Sequence, residues 1–318
     1  MDKFLDPAIL FFVFGVFAGF VRSNLEIPVP IARFLSLYLL MALGLKGGFA
    51  LEKSGFTPEI ITTLGLAVVL AVVIPIMGYN VLRRYMPQLD SAAVAATYGS
   101  VSAVTFITAT QSLDHFDIAY GGHMAAAMAL MESPAIILAV VLANRARATA
   151  IQSTAQTPMS KVLHESFTDG AQLLLLGSMA VGFFSGAAGE TLMAPFSIDL
   201  FKGMLAFFLL DMGLMAARQM SGLRDRSRVT ILYVLLAPFV HACLALGLAV
   251  LAGIPRGDTV LLMVLAASAS YIAVPAVLRH SLPEVNPAVY MGMSLGITFP
   301  LNIIVGIPLY TAMTGFMG

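Results

Sequence analysis

Two serine pairs, Ser100-x-Ser102 and Ser268-x-Ser270, interrupt segments that are otherwise apolar. Their surroundings read Tyr98-Gly99-Ser100-Val101-Ser102-Ala103 and Ala266-Ala267-Ser268-Ala269-Ser270-Tyr271, and a shift of 168 residues lays one on the other. Where such a tract breaks a helix at membrane depth, the freed backbone groups are tolerated only if they are buried in protein or line a cavity. Matched breaks in the two halves of a chain point to the binding site of a carrier. The N–H groups at a helix start, with nearby hydroxyls, bind small anions. Proline suits the first helical position, so a second half-helix is expected near Val274-Pro275. Thr105 adds a hydroxyl on the corresponding side of the first tract. The candidate substrate residues are therefore Gly99, Ser100, Ser102, Ala103, Thr105, Ser268, Ala269 and Ser270. Small residues of this kind also serve close helix packing, the plainer reading of the same pattern.

A second set of residues suits a cation. Glu132 and Ser133 sit deep in an apolar segment, and Thr298 and Asn302 occupy the corresponding region near the C-terminus. All four offer oxygen ligands, and neighbouring prolines free backbone carbonyls, so they are the sodium candidates. A carboxylate at bilayer depth is costly and faces a cavity, a cation or a partner. Asp211 is expected to pair with Lys46 or a backbone donor. His123 and His241 read as satisfied buried histidines, and the single cysteine, Cys243, as a small buried filler. No catalytic triad, phosphate loop or Cys/His cluster is present in the sequence, which argues against an enzyme.

The elements that must position these residues are membrane helices. The chain is 59% hydrophobic and 11% charged, with a mean hydropathy of +0.92, far from the roughly 25% charged composition of soluble domains. Its formal net charge is zero, which gives no reason to expect a nucleic-acid partner. Apolar segments lie at about 7–21, 31–51, 58–82, 91–111, 119–143, 168–188, 198–220, 228–252, 257–279 and 286–313. The reading is all-α: a polytopic membrane protein of ten transmembrane helices. Residues 1–143 form a first five-helix repeat, 144–167 a cytoplasmic linker, and 168–318 a second five-helix repeat. With the N-terminus outside, twelve Lys and Arg fall on inner connections against five on outer ones, as the positive-inside rule requires. Both termini are then on the outer face. An odd number of spans per half makes the repeat an inverted one, with the fourth and ninth helices discontinuous. Leu39-Leu40-Met41-Ala42-Leu43-Gly44-Leu45 and Phe208-Leu209-Leu210-Asp211-Met212-Gly213-Leu214 extend the internal match.

With its tracts Gly99-Ser100-Val101-Ser102-Ala103-Val104-Thr105, Met131-Glu132-Ser133-Pro134-Ala135, 267–276 and 298–310, the chain resembles the sodium-dependent bicarbonate transporter family over nearly its whole length. The resemblance implies gate and core domains, bicarbonate held near the broken helices, and Na+ as the coupling ion with no organic cofactor. It also implies a homotrimer in the inner membrane of a bacterium and a PII-type regulator docking from the cytoplasm. Cyanobacterial members tend to read Gly-x-Val-Ser-Gly-Ser-Thr in the fourth span. Here Ala103 and Val104 stand in place of the second Gly and second Ser, and Glu132 in place of an aspartate. The alternatives are a carrier of another small anion, such as a short carboxylate, and a membrane channel or sensor.

Overall fold

A computed structural model of the chain describes residues 7–55, 57–149, 170–220 and 228–317. Among these the fold is all-helical: α1 (Pro7–Phe20), α2 (Val29–Ser54), α3 (Pro58–Leu82), α4 (Gln88–Gly99), α5 (Ala103–His115), α6 (Met124–Thr149), α7 (Gly170–Ala194), α8 (Phe201–Met220), α9 (Arg228–Leu251), α10 (Arg256–Ala267), α11 (Ala273–Ser281) and α12 (287–313). By length and composition 7 helical runs suffice to cross a membrane, and the apolar α1 is shorter. The chain is thus a polytopic membrane protein. α6 continues through residues 144–149, so the start of the expected linker is helical; the rest of that linker, and Arg224 and Arg226, lie outside the described residues.

Local chemistry explains most element ends. Thr57 precedes Pro58 at the start of α3, where proline lacks nothing that the helix needs. Pro75, Pro134 and Pro238 lie inside α3, α6 and α9, where neighbouring helices compensate for the missing donor. α12 widens into π-helix at Gly292–Thr298 and Asn302–Gly306. Each stretch stops just before a proline, Pro300 or Pro308, whose missing N–H and bulky ring loosen the turn that precedes it. The run after 170 bends at Gly186, which has φ +55° and so favours glycine.

Two groups of helices emerge. α1 packs on α8 and α2 on α7, and α2 also meets α8. Small-residue stripes bring these backbones together: a Cβ on Gly48 would come within 2.1 Å of the Met179 carbonyl, and one on Gly213 within 2.3 Å of that of Phe12. The second group joins α3, α4, α6, α9 and α10. Within it, 94% of the most apolar window of 88–115 is buried, against 39% for α3 and for α9. The broken fourth span therefore runs through the interior, and α3 and α9 shield it. α10 is buried throughout 257–267.

Candidate functional site

The fourth span breaks where the serines stand. α4 ends at Gly99, and Ser100 is extended (φ −95°, ψ 178°) with its N–H donating to the Ala96 carbonyl at 3.1 Å. Gly99 lies flat on Pro75; a Cβ there would approach the proline ring to 2.5 Å. Ser102 is the N-cap of α5: its Oγ accepts from the Thr105 N–H at 3.2 Å and from the Thr105 hydroxyl at 2.8 Å. Such a cap satisfies a donor that the helix itself cannot and stabilises it by about 1 kcal/mol.

The run of α10 and α11 breaks by different means. α10 stops at Ala267 and Ser268 is extended (φ −79°, ψ 168°). The Ser268 hydroxyl donates to the Leu265 carbonyl at 2.9 Å, and Asn302 Nδ2 donates to the Ala267 carbonyl at 2.8 Å. Tyr310 in turn donates its hydroxyl to Asn302 Oδ1 at 3.0 Å. The helix restarts as α11 at Ala273, with Pro275 third rather than first, and the Ser270 Oγ accepts from the Val274 N–H at 3.3 Å.

The two breaks are bonded to each other. The Ser102 N–H donates to Ser268 Oγ at 3.0 Å, and the Ser270 N–H donates to the Thr97 carbonyl at 2.8 Å. Backbone groups freed in one tract are thus satisfied by the other, which makes the crossing tolerable inside an apolar protein.

Beside the crossing is a cavity of about 100 Å³. Its walls are Val101, Ser102 and Ala103 at the start of α5, residues 270–273 leading into α11, and Met128, Ala129 and Glu132 of α6. Ser36 and Leu40 of α2 and Ala171, Gln172 and Leu175 of α7 close it from the other helix group. A space this size holds several waters or one small polyatomic ion. Four residues with hydroxyls line it, Ser36, Ser102, Ser270 and Tyr271. The oxygens of Ser102 and Ser270 accept bonds from the starts of their own helices, which leaves the Ser270 proton for a third partner and the Ser102 proton for Tyr271 or for a ligand beside it. The Tyr271 hydroxyl is buried next to the Ser102 side chain. Donors from hydroxyls and from the first turns of two helices converge on one small space, which suits an anion.

Not every residue singled out by sequence lies there. Ser100, Ser268 and Thr105 are buried but do not line the cavity, nor do Gly99 and Ala269. Val104, where a hydroxyl is replaced, is likewise buried away from it. Glu132 lines the cavity, whereas Thr298 and Asn302 do not. The Thr298 hydroxyl is bonded to that of Tyr98 at 2.5 Å, and Asn302 is engaged by Ala267 and Tyr310. The Ser133 side chain lies outside the described residues. Ser36, Gln172 and Tyr271 are additions; a polar residue within an apolar helix was the signal for Ser36.

Two further expectations are corrected. Lys46 pairs with Asp114 at 3.1 Å, not with Asp211, because its side chain points across to α5. Cys243 is exposed on α9 rather than buried. Of the two histidines, His123 Nε2 lies 3.3 Å from Asp258 Oδ2, and His241 is buried with its Nδ1 lacking a partner.

An all-helical membrane protein with a cavity between its helices, apolar over most of its wall and polar at Ser102, Glu132, Gln172 and Ser270, has an architecture compatible with a membrane transport protein. The chain belongs to the Na+-dependent bicarbonate transporter superfamily, whose sequence model it matches over residues 7–315. No curated protein matches the chain. Membership makes this a sodium-dependent transport protein of the bicarbonate family.

Proposed function

We propose that the protein is a secondary active transporter that takes up bicarbonate together with sodium by alternating access. The observation that carries this reading is the convergence of Ser102, Ser270 and Tyr271 on one small cavity at two helix starts. Ten spans in two inverted halves, with both termini outside, give those helix starts opposite directions, so that both point toward the bilayer midplane. The matching order of break, serine pair and restart in the two halves supports that arrangement.

Glu132 explains the coupling. Two like unit charges about 4 Å apart repel by roughly 4 kcal/mol at the effective dielectric of a protein. A bicarbonate ion beside an ionised Glu132 is therefore repelled by it, and a cation bound between the two offsets that repulsion. A sodium ion held by Glu132 reverses the sign of that interaction and brings the cavity close to neutral. Binding of the two ions is then cooperative, and the transported pair, one sodium with one bicarbonate, carries no net charge of its own. Asn302, with its amide committed at both ends, braces α10 instead of holding the ion.

The test is uptake of labelled bicarbonate into proteoliposomes with and without an inward sodium gradient. The expected result is sodium-driven accumulation that Ser102→Ala and Ser270→Ala each reduce. Undiminished uptake in both variants would sink the serine site. Accumulation of a short carboxylate in preference to bicarbonate would reassign the substrate, and passive flux without accumulation would indicate a channel.

A further inference from the structure

A second and larger cavity, of about 500 Å³, opens at the end of the molecule formed by the end of α2, the end of α5 and the start of α6. We propose that it is the outer half of the ion path and that Leu43 and Phe106 form the barrier between it and the serine cavity. The proposal rests on the transport reading above.

The same three helices wall both spaces, in the same order. On α2, Leu40 lines the serine cavity and Leu43 the larger one; on α5 the pair is Ala103 and Phe106; on α6 it is Ala129 and Ala125. Each pair is three or four residues apart. At 1.5 Å rise per residue the partition is about one helical turn, roughly 5 Å, thick. Leu43 and Phe106 are 5% and 1% exposed and belong to one packed cluster. An unhydrated ion does not cross such a plug without a large penalty. α7 follows the same order: Ala171, Gln172 and Leu175 at its start line the serine cavity, and Glu190 near its end lines the larger one. The serine cavity thus extends toward the start of α7, the side assigned to the cytoplasm, and the larger one toward the opposite side.

The wall of the larger cavity also carries a link between α2 and α5. Lys46 of α2 donates to Asp114 of α5 at 3.1 Å, and Gln111 Nε2 reaches the same carboxylate oxygen at 3.3 Å. A slide of α2 past α5 by one turn would break that pair and carry Leu43 off Phe106. One-turn displacements between packed elements are an established form of switching.

The experiment uses accessibility. Cys243 is the single cysteine, so Cys243→Ala gives a clean background into which Ala125→Cys and Ala129→Cys are placed one at a time. A charged, membrane-impermeant methanethiosulfonate is added to the outside of right-side-out vesicles. The expected result is fast labelling at position 125 and labelling at position 129 about tenfold slower or more, limited by opening. Adding Phe106→Ala should bring position 129 to within about threefold of position 125, since the barrier to opening is then removed. Leu43→Ala is a second, independent opening with the same readout, should Phe106→Ala fail to reach the membrane. Equal outside labelling of the two positions in the parent would overturn the proposal. So would labelling of position 125 from the inside alone, or a rate at position 129 that neither truncation raises. Labelling does not require transport; loss of bicarbonate uptake with the contrast intact would overturn the functional reading and leave the barrier standing.

Discussion

The two broken spans look alike in sequence and are built differently. In the fourth span the restart is the well-determined part: Ser102 caps α5 with two bonds from Thr105. In the ninth span it is the stop that is fixed, by Ser268 on Leu265 and by Asn302 reaching from α12 to Ala267. The restart there has Ile272 at the cap position, with no side-chain cap, and one longer bond from Val274 to Ser270. The contrast teaches that equivalent serines need not do equivalent work. Ser268 uses its hydroxyl to donate to Leu265 and to accept from Ser102, and so serves as a joint. Ser102 and Ser270 instead accept from the starts of their own helices and line the cavity.

The sharpest way to break this comparison is Ser102→Ala. It removes both a cap and the proposed anion donor, and the uptake ratio Vmax/KM should fall about a hundredfold from the two losses together. A fall no greater than that of Ser268→Ala would erase the distinction between donor and joint. Next come Ser270→Ala and Tyr271→Phe, each deleting one hydrogen bond to a charged ligand. KM for bicarbonate should rise about tenfold in each, with maximal rate little changed. Should maximal rate fall while KM stays constant, Tyr271 acts in movement rather than in binding.

Asn302→Ala tests the braced end. It leaves the Ala267 carbonyl and the Tyr310 hydroxyl without the partner they share, and should cost about 1–3 kcal/mol of stability, seen as a lower melting temperature in detergent. The sodium concentration for half-maximal uptake should stay unchanged. If sodium dependence shifts and the melting temperature does not, Asn302 is a sodium ligand after all. The smallest effect is expected for Val104→Thr. Because that side chain does not line the cavity, the preference between bicarbonate and a short carboxylate should change less than about twofold, as for sites with no shared partner.

Much of the architecture was legible because hydropathy and backbone satisfaction act locally. Long apolar runs must be helices in a membrane, and small-Ser-x-Ser tracts marked the ends of α4 and α10 and the start of α5. Taking proline as the first residue puts the restart of α11 two residues late, because Pro275 stands third. Depth in the membrane suggests Lys46 or a backbone donor for Asp211, whereas Lys46 pairs with Asp114, 68 residues away on another helix. Cys243 was judged by its apolar neighbours in the chain, but the face of α9 that carries it is an exposed one.

The sequence by itself determined that this chain is a membrane protein with two matched serine breaks, because composition and the cost of unpaired backbone in hydrocarbon depend on residue type and order. Only the tertiary structure decided which hydroxyls are spent and which remain. A serine has one proton and two lone pairs wherever it stands. Whether they meet a carbonyl, an N–H or an open cavity depends on the helices that pack across from it: α12 for the end of α10, and α2, α6 and α7 for the space beside Ser102 and Ser270.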